Sequence, residues 1–187
     1  MKYEAIVIGV SAGGLEALQT VLTPLPANFG LPLIIIQHMH PYSDNYLVHF
    51  LNEHCQLGVK EAEEKERIAP GTIYIAPPNY HLLLELDRSF SLSVSEKVNH
   101  ARPSIDVTFE TAADIYGSRL IGIILTGANN DGSLGLKQIK QHGGLTIVQD
   151  PKTAEVDSMP RAAIAATVVD HLLPLPKIGT FLIELIA

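Results

Sequence analysis

The apolar run Tyr3-Glu4-Ala5-Ile6-Val7-Ile8 breaks at Gly9-Val10-Ser11-Ala12-Gly13-Gly14, and Leu15-Glu16-Ala17-Leu18 resumes with helical spacing. Strand, glycine turn and helix start follow one another within a few residues, with a serine at the apex. Glycines on both sides let the backbone turn sharply and keep Cβ atoms out of the way. A serine held there projects its hydroxyl beyond the sheet edge, beside a helix N-terminus rich in free N–H groups. That is the requirement of a nucleophile elbow, G-x-S-x-G. Serine is also a favoured helix N-cap, and the turn alone does not choose between the two readings.

The rest of the chain repeats the strand-then-helix pattern. Strands are expected over Tyr3–Ile8, Leu33–Gln37, Gly58–Glu61, Thr72–Ile75, Leu120–Leu125, Leu145–Val148 and Val168–Leu172. Helices are expected over Gly14–Leu22, Ser43–His54, Ser104–Tyr116, Gly132–Gln141, Pro160–Ala166 and Lys177–Ile186. The alternation implies an α/β fold: a doubly wound, mostly parallel sheet with helices on both faces. Between Tyr80 and Val98 two short apolar runs flank Asp87-Arg88-Ser89, which reads as an antiparallel hairpin appended to that sheet. No repeat, linker or domain boundary interrupts the pattern, so one domain is expected. With 187 residues, 47% of them hydrophobic, the chain can bury a sizeable core.

Charge narrows the function classes. The net charge is -7 and no basic run exists, which argues against nucleic acid and against an anionic membrane surface. No stretch approaches membrane-spanning length and no signal peptide precedes the first strand, so direct membrane insertion is not expected. One cysteine, Cys55, excludes an internal disulfide and points to a cytoplasmic location.

In such folds chemistry collects at the carboxyl ends of the parallel strands. The first strand ends at Ser11. The second runs into His38-Met39-His40-Pro41. The run Ile121–Leu125 leads into Thr126-Gly127-Ala128-Asn129-Asn130-Asp131-Gly132. A nucleophile, a base and a carboxylate to orient the base are the parts of a Ser-His-Asp relay. The order Ser, His, Asp differs from the Ser, Asp, His of α/β-hydrolases. Each residue has a plainer role available: His38 as a satisfied strand-end histidine, Asp131 as the cap of the helix beginning at Gly132. Three such strand ends together favour catalysis.

The same residues resemble the catalytic domain of the chemoreceptor protein-glutamate methylesterases, the CheB type. The matching motifs are Ile8–Gly14, Gln37-His38-Met39, Tyr74-Ile75-Ala76-Pro77-Pro78, Arg102-Pro103-Ser104-Ile105-Asp106, Leu125-Thr126-Gly127 with Asn130-Asp131-Gly132, and Ser158-Met159-Pro160. They occur in the family's order and span nearly the whole chain, so residues 1–187 read as a single methylesterase catalytic domain. The resemblance implies a triad of Ser11, His38 and Asp131. It also implies hydrolysis of glutamate γ-methyl esters on the cytoplasmic domain of a methylated chemoreceptor in adaptation or related signalling, with glutamine deamidation in some members. No cofactor and no metal are implied. Backbone N–H groups at Ala12, Gly13 and Ala128 are the expected oxyanion donors. Arg102, Ser158 and Met159 are expected to line the substrate cleft, with a structural salt bridge and loop packing as the alternative.

Two departures bear on activity. Ala12 stands where well-known members carry a threonine, and Ala128-Asn129 replaces a common Met-Gly. A catalytically weakened signalling or interaction domain on the same scaffold is therefore the alternative. Familiar members also carry a receiver domain ahead of the catalytic domain, whereas here Met1 leads almost directly into the first strand. Wording such as Gln149-Asp150-Pro151 resembles receiver-less members, including those fused to a methyltransferase, so a methyltransferase or kinase fusion partner is in keeping with it. Activity independent of a phosphodonor is the corresponding expectation. Weaker readings are a dinucleotide loop, which would need glycine at Ser11 and an acid after the second strand, a His38-x-His40 metal pair with no third ligand, and a nucleophilic Cys55.

Overall fold

The computed structural model describes residues 2–187. Its elements run β1 (Ala5–Val10), α1 (Gly14–Leu22), β2 (Leu33–Gln37), α2 (Tyr46–His54), β3 (Gly58–Glu61), β4 (Thr72–Ile75), β5 (His81–Leu84), β6 (Phe90–Ser93), α3 (Ile105–Tyr116), β7 (Leu120–Ile124), α4 (Ser133–Gln141), β8 (Leu145–Gln149), α5 (Ser158–Ala166), β9 (His171–Leu173) and α6 (Leu175–Ile186). Seven strands form one sheet in the order β3-β4-β2-β1-β7-β8-β9. Every pairing in it is parallel.

Period-2 alternation divides the core between the two faces. Ile6, Ile8 and Val10 of β1 face α1, α2 and α6 through Leu18, Leu22, Leu51, Ile178 and Leu182. Ala5 and Val7 face the other layer, built from Phe109 and Ala112 of α3, Leu136 and Ile139 of α4, and Met159 and Ala163 of α5. No helix of the described residues is long and apolar enough to cross a membrane.

Several expected bounds shift by one to three residues, α2 starting at Tyr46 and α6 at Leu175 among them, and three differences have a clear physical cause. The hairpin is not appended to the main sheet: β5 and β6 form a separate two-stranded antiparallel sheet. Leu82, Leu84 and Phe90 instead bury themselves in the layer of α3, and Leu84 N–H donates to Thr111 Oγ1 of that helix. The first strand ends two residues later than expected, because Gly9 pairs with Ile36 and Ile124 and Val10 with Gln37. Gly9 is thus a strand residue whose missing Cβ makes room for α3: a Cβ there would lie 2.4 Å from Ile105 Cγ2. The last strand begins at His171, not Val168. Asp170 anchors its start by accepting from Thr146 N–H and Oγ1, while Val168 stands exposed before it.

The strand order places the site. From β1 the chain winds out to β2 and then to the edge strand β3, inserts β4 between them, and after the hairpin returns to β7 and winds the other way. The carboxyl ends of β2, β1 and β7 are neighbours at the point where the order reverses, the usual place for a crevice in an open α/β sheet.

Candidate active site

Ser11 follows the last residue of β1, His38 the last of β2, and the β7–α4 loop brings Asp131 back above them. His38 Nδ1 lies 3.2 Å from Ser11 Oγ, and His38 Nε2 lies 2.7 Å from Asp131 Oδ2. The carboxylate can only accept, so Nε2 carries the proton and Nδ1 presents its lone pair to the serine hydroxyl. In the trypsin-type relay the two ring nitrogens serve the other way round. The His38 side chain is 13% exposed and that of Asp131 is fully buried, so a partly exposed imidazole is backed by a carboxylate shut off from solvent.

The turn carrying Ser11 is held from both sides. Ser11 N–H donates to Thr126 O, and Thr126 Oγ1 reaches Ala12 O at 2.8 Å. Gln37 Nε2 donates to both Ser11 O and His38 O, tying the two strand ends together. Gly13 takes φ +76°, a conformation that strains any residue with a Cβ. Gly14 has no such φ, but a Cβ on it would fall 1.9 Å from the buried Gln37 Oε1. Among the described residues, Ala12 and Gly13 N–H have no acceptor, so both remain free at the N-terminus of α1. Ser11 itself is not the N-cap of α1; Gly13 is.

Asp131 does not cap the helix that follows it. Its Oδ1 accepts from Asn99 Nδ2, Ser104 Oγ and Asp106 N–H, and its Oδ2 from Ile105 N–H as well as His38. These backbone donors open α3. Burial pushes the Asp131 carboxyl up, but the hydrogen bonds from His38, Asn99, Ile105 and Asp106 outweigh it and hold the group below the ordinary aspartate value. Asp106, on α3, accepts in turn from Gly135 N–H of α4 and from Asn99 Nδ2. There burial prevails over the Gly135 hydrogen bond, the nearby Asp131 charge adds to it, and the carboxyl is raised.

The other expected residues are placed as follows. Ala12 and Ala128 are exposed beside Ser11 and in the β7–α4 loop. Met159 is buried, with its Sδ packed against the Gly127 Cα, and its N–H donates to Gly127 O. Arg102 lines a cleft of about 190 Å³ beside His38, together with Lys97, Asn99, His100 and Asn129. The salt bridge considered for Arg102 does not form among the described residues. The guanidinium is held by neutral acceptors, Asn79 Oδ1 and the carbonyls of Val94 and Ser95. His40 is exposed, and its Nδ1 accepts from Tyr42 N–H. Four residues at the site had no assigned role: Gln37, Asn99, Ser104 and Asn129. Gln37 was signalled as the one polar residue of an apolar strand, and Ser104 by its place before a helix, although its hydroxyl serves Asp131. Asn129 is signalled only as part of the Ala128-Asn129 departure, with no role attached, and Asn99 lies in a loop with no local signal.

The family profile described as CheB methylesterase matches residues 6–182. A Leptospira interrogans protein, provisionally named protein-glutamate methylesterase/protein-glutamine glutaminase, is 57% identical over 99% of this chain and 96% of its own length. A Thermotoga maritima protein-glutamate methylesterase/protein-glutamine glutaminase is 41% identical over 97% of this chain, which spans about half (54%) of that relative. The crystal structure of the Thermotoga maritima CheB methylesterase catalytic domain superposes with a TM-score of 0.94 at 40% identity, covering 98% of each chain.

Proposed function

The chain belongs to the CheB methylesterase family, and from that premise we propose that it hydrolyses glutamate γ-methyl esters of chemoreceptors through Ser11, His38 and Asp131. It deamidates receptor glutamines at the same site, as the names of its relatives suggest. The observation that carries this reading is the unbroken line from Ser11 Oγ through His38 to the buried Asp131 carboxylate, with contacts of 3.2 and 2.7 Å.

The chemistry follows from those atoms. Ser11 Oγ attacks the ester carbonyl carbon as His38 Nδ1 takes its proton. Asp131 holds the Nε2–H tautomer and favours the imidazolium that forms. The free N–H groups of Ala12 and Gly13 receive the oxyanion; losing one such donor costs on the order of 3 kcal/mol in comparable sites. The Nδ1 proton passes to the leaving oxygen and methanol departs. Water then attacks the acyl-enzyme with the same base, restoring Ser11 and releasing the carboxylate.

The test is methanol release from a methylated receptor cytoplasmic domain, wild type against Ser11→Ala. Release by the wild type and none by a folded Ser11→Ala variant is expected. Equal release by both would falsify the assignment of the nucleophile, and no release by the wild type would leave the scaffold as a non-hydrolytic signalling domain.

A further inference from the structure

Asn129 touches the reacting line, and the esterase reading gives it no part. Its Oδ1 accepts from Asp131 N–H at 3.1 Å. That contact fixes which way the amide faces, and its Nδ2 points at His38 Nδ1 from 3.3 Å. Ser11 Oγ lies 3.2 Å from the same nitrogen. Because Nε2 carries the proton toward Asp131, Nδ1 has a single lone pair with two donors aimed at it. We propose that Asn129 sets the preference of this site for a methyl ester over a primary amide; the proposal rests on the hydrolytic reading above.

When Nδ1 takes the Ser11 proton it ceases to accept, and the Asn129 N–H is released from it. The Nδ1 proton is then aimed at the leaving atom of the tetrahedral intermediate, and Asn129 Nδ2 borders the same position. With an ester, the bond from the acyl carbon to the methoxy oxygen breaks and its electron pair stays on oxygen. That oxygen has two lone pairs: one takes the Nδ1 proton, giving methanol, and the other accepts from Asn129. With an amide, the carbon–nitrogen bond breaks and its pair stays on nitrogen. The nitrogen of the intermediate has one lone pair, which takes the Nδ1 proton and gives ammonia. Nothing remains for Asn129, whose N–H faces the N–H of the leaving group. The side chain cannot turn over to offer Oδ1 without abandoning Asp131 N–H. A donor used by one leaving group and opposed by the other discriminates between them.

The experiment measures methanol from a peptide carrying one glutamate γ-methyl ester and ammonia from the same peptide carrying glutamine. Wild type, Asn129→Ala and Asn129→Asp are compared. The aspartate variant keeps an oxygen for Asp131 N–H and turns the donor into an acceptor for an amine N–H. The ratio of ester to amide turnover is the readout, because loosening of the loop would lower both rates together. The ratio is expected to fall on the order of tenfold in Asn129→Ala, the worth of one hydrogen bond, and further in Asn129→Asp. A ratio within about twofold of wild type in both variants, or a rise, overturns the proposal. If the wild type releases methanol alone, ammonia release gained in Asn129→Asp supports the proposal and its absence overturns it. A wild type that releases neither product overturns the hydrolytic reading, and this proposal with it.

Discussion

Asp106 and Asp131 cap each other's helices. Asp131, just ahead of α4, accepts the first N–H groups of α3, and Asp106, in the first turn of α3, accepts Gly135 N–H of α4. Asn99 spends both hydrogens of one amide on the pair, 2.8 Å to each carboxylate. The residue proposed to orient His38 is therefore also the joint between two packed helices, so the geometry of the proposed active site and the stability of α3 and α4 depend on the same carboxylate.

Asp131→Asn should damage both. Five donors converge on the two carboxylate oxygens. An asparagine offers one oxygen, and either way round its NH2 faces donors: His38 and Ile105, or Asn99, Ser104 and Asp106. The cost of leaving buried donors unpaired is about 1–3 kcal/mol. Urea unfolding should show that loss alongside a collapse of methanol release. Wild-type stability with reduced turnover would mean that Asp131 serves His38 alone.

The two carboxyls should titrate apart. Asp131 lies below the ordinary aspartate value when folded, so its stabilising contribution is present above the unfolded pKa and disappears as pH falls through the folded one. Asp106 lies above it. Its contribution is full below the unfolded pKa and is lost as pH rises through the folded one, because the ionised form is the one that burial disfavours. Carbon-detected NMR titration of the side-chain carboxyls should give two separated steps for the pair, with Asp131 responding at the lower pH. Coincident midpoints, or the reverse order, would contradict the hydrogen-bond assignment.

Cys55 should be chemically quiet. Burial at the end of α2 pushes its thiol up to about 11, so little thiolate exists near neutrality. Iodoacetamide at pH 8 should modify the folded protein far more slowly than the urea-unfolded chain, and Cys55→Ser should keep wild-type methanol release. Rapid labelling of the folded form, or a lost activity, would revive a role for the sulfur.

Most of the scaffold is legible in the sequence because it is local. The bounds of α1, β2, β3 and β4 follow directly from apolar runs cut by turn residues. What is not legible is what depends on distant partners. Gly9 and Gly13 look alike in sequence, yet one makes room for Ile105 and the other takes a left-handed turn. Asp131 next to Gly132 looks like a cap for its own helix, but four of its donors come from 25 to 32 residues earlier in the chain and the fifth, His38, from 93. Which imidazole nitrogen faces Ser11 is set by ring orientation, on which residue spacing is silent. The hairpin is visible as a hairpin, whereas its docking on α3 rather than on the sheet edge depends on which apolar surface is left uncovered.

Gly14 and Gln37 should be energetically coupled. Gly14→Ala drives a methyl into Gln37 Oε1, with 1.9 Å between them before relaxation. Overpacking of that kind costs about 1–3 kcal/mol. Gln37→Ala removes the amide that holds Ser11 O and His38 O, and should lower turnover more than stability. In the double variant the methyl has space, so its stability loss should be smaller than the sum of the two single losses. Strict additivity would show that the alanine methyl at position 14 is accommodated elsewhere.

His38, not His40, should carry the proton transfer, and the two can be separated cleanly. Both are histidines just past β2, two residues apart. Only His38 lies between a hydroxyl and a buried carboxylate; His40 is exposed, and its ring accepts from the Tyr42 backbone. His38→Gln keeps a side chain of similar reach but cannot shuttle a proton, so turnover should fall by roughly a thousandfold or more. His40→Gln, an exposed substitution, should stay within about threefold of wild type. Labelling with a fluorophosphonate gives a second readout that needs no receptor: Ser11 should react in the wild type and in His40→Gln, and lose that reactivity in His38→Gln. A His38→Gln variant that still labels at the wild-type rate would mean that Ser11 is activated by something other than the imidazole.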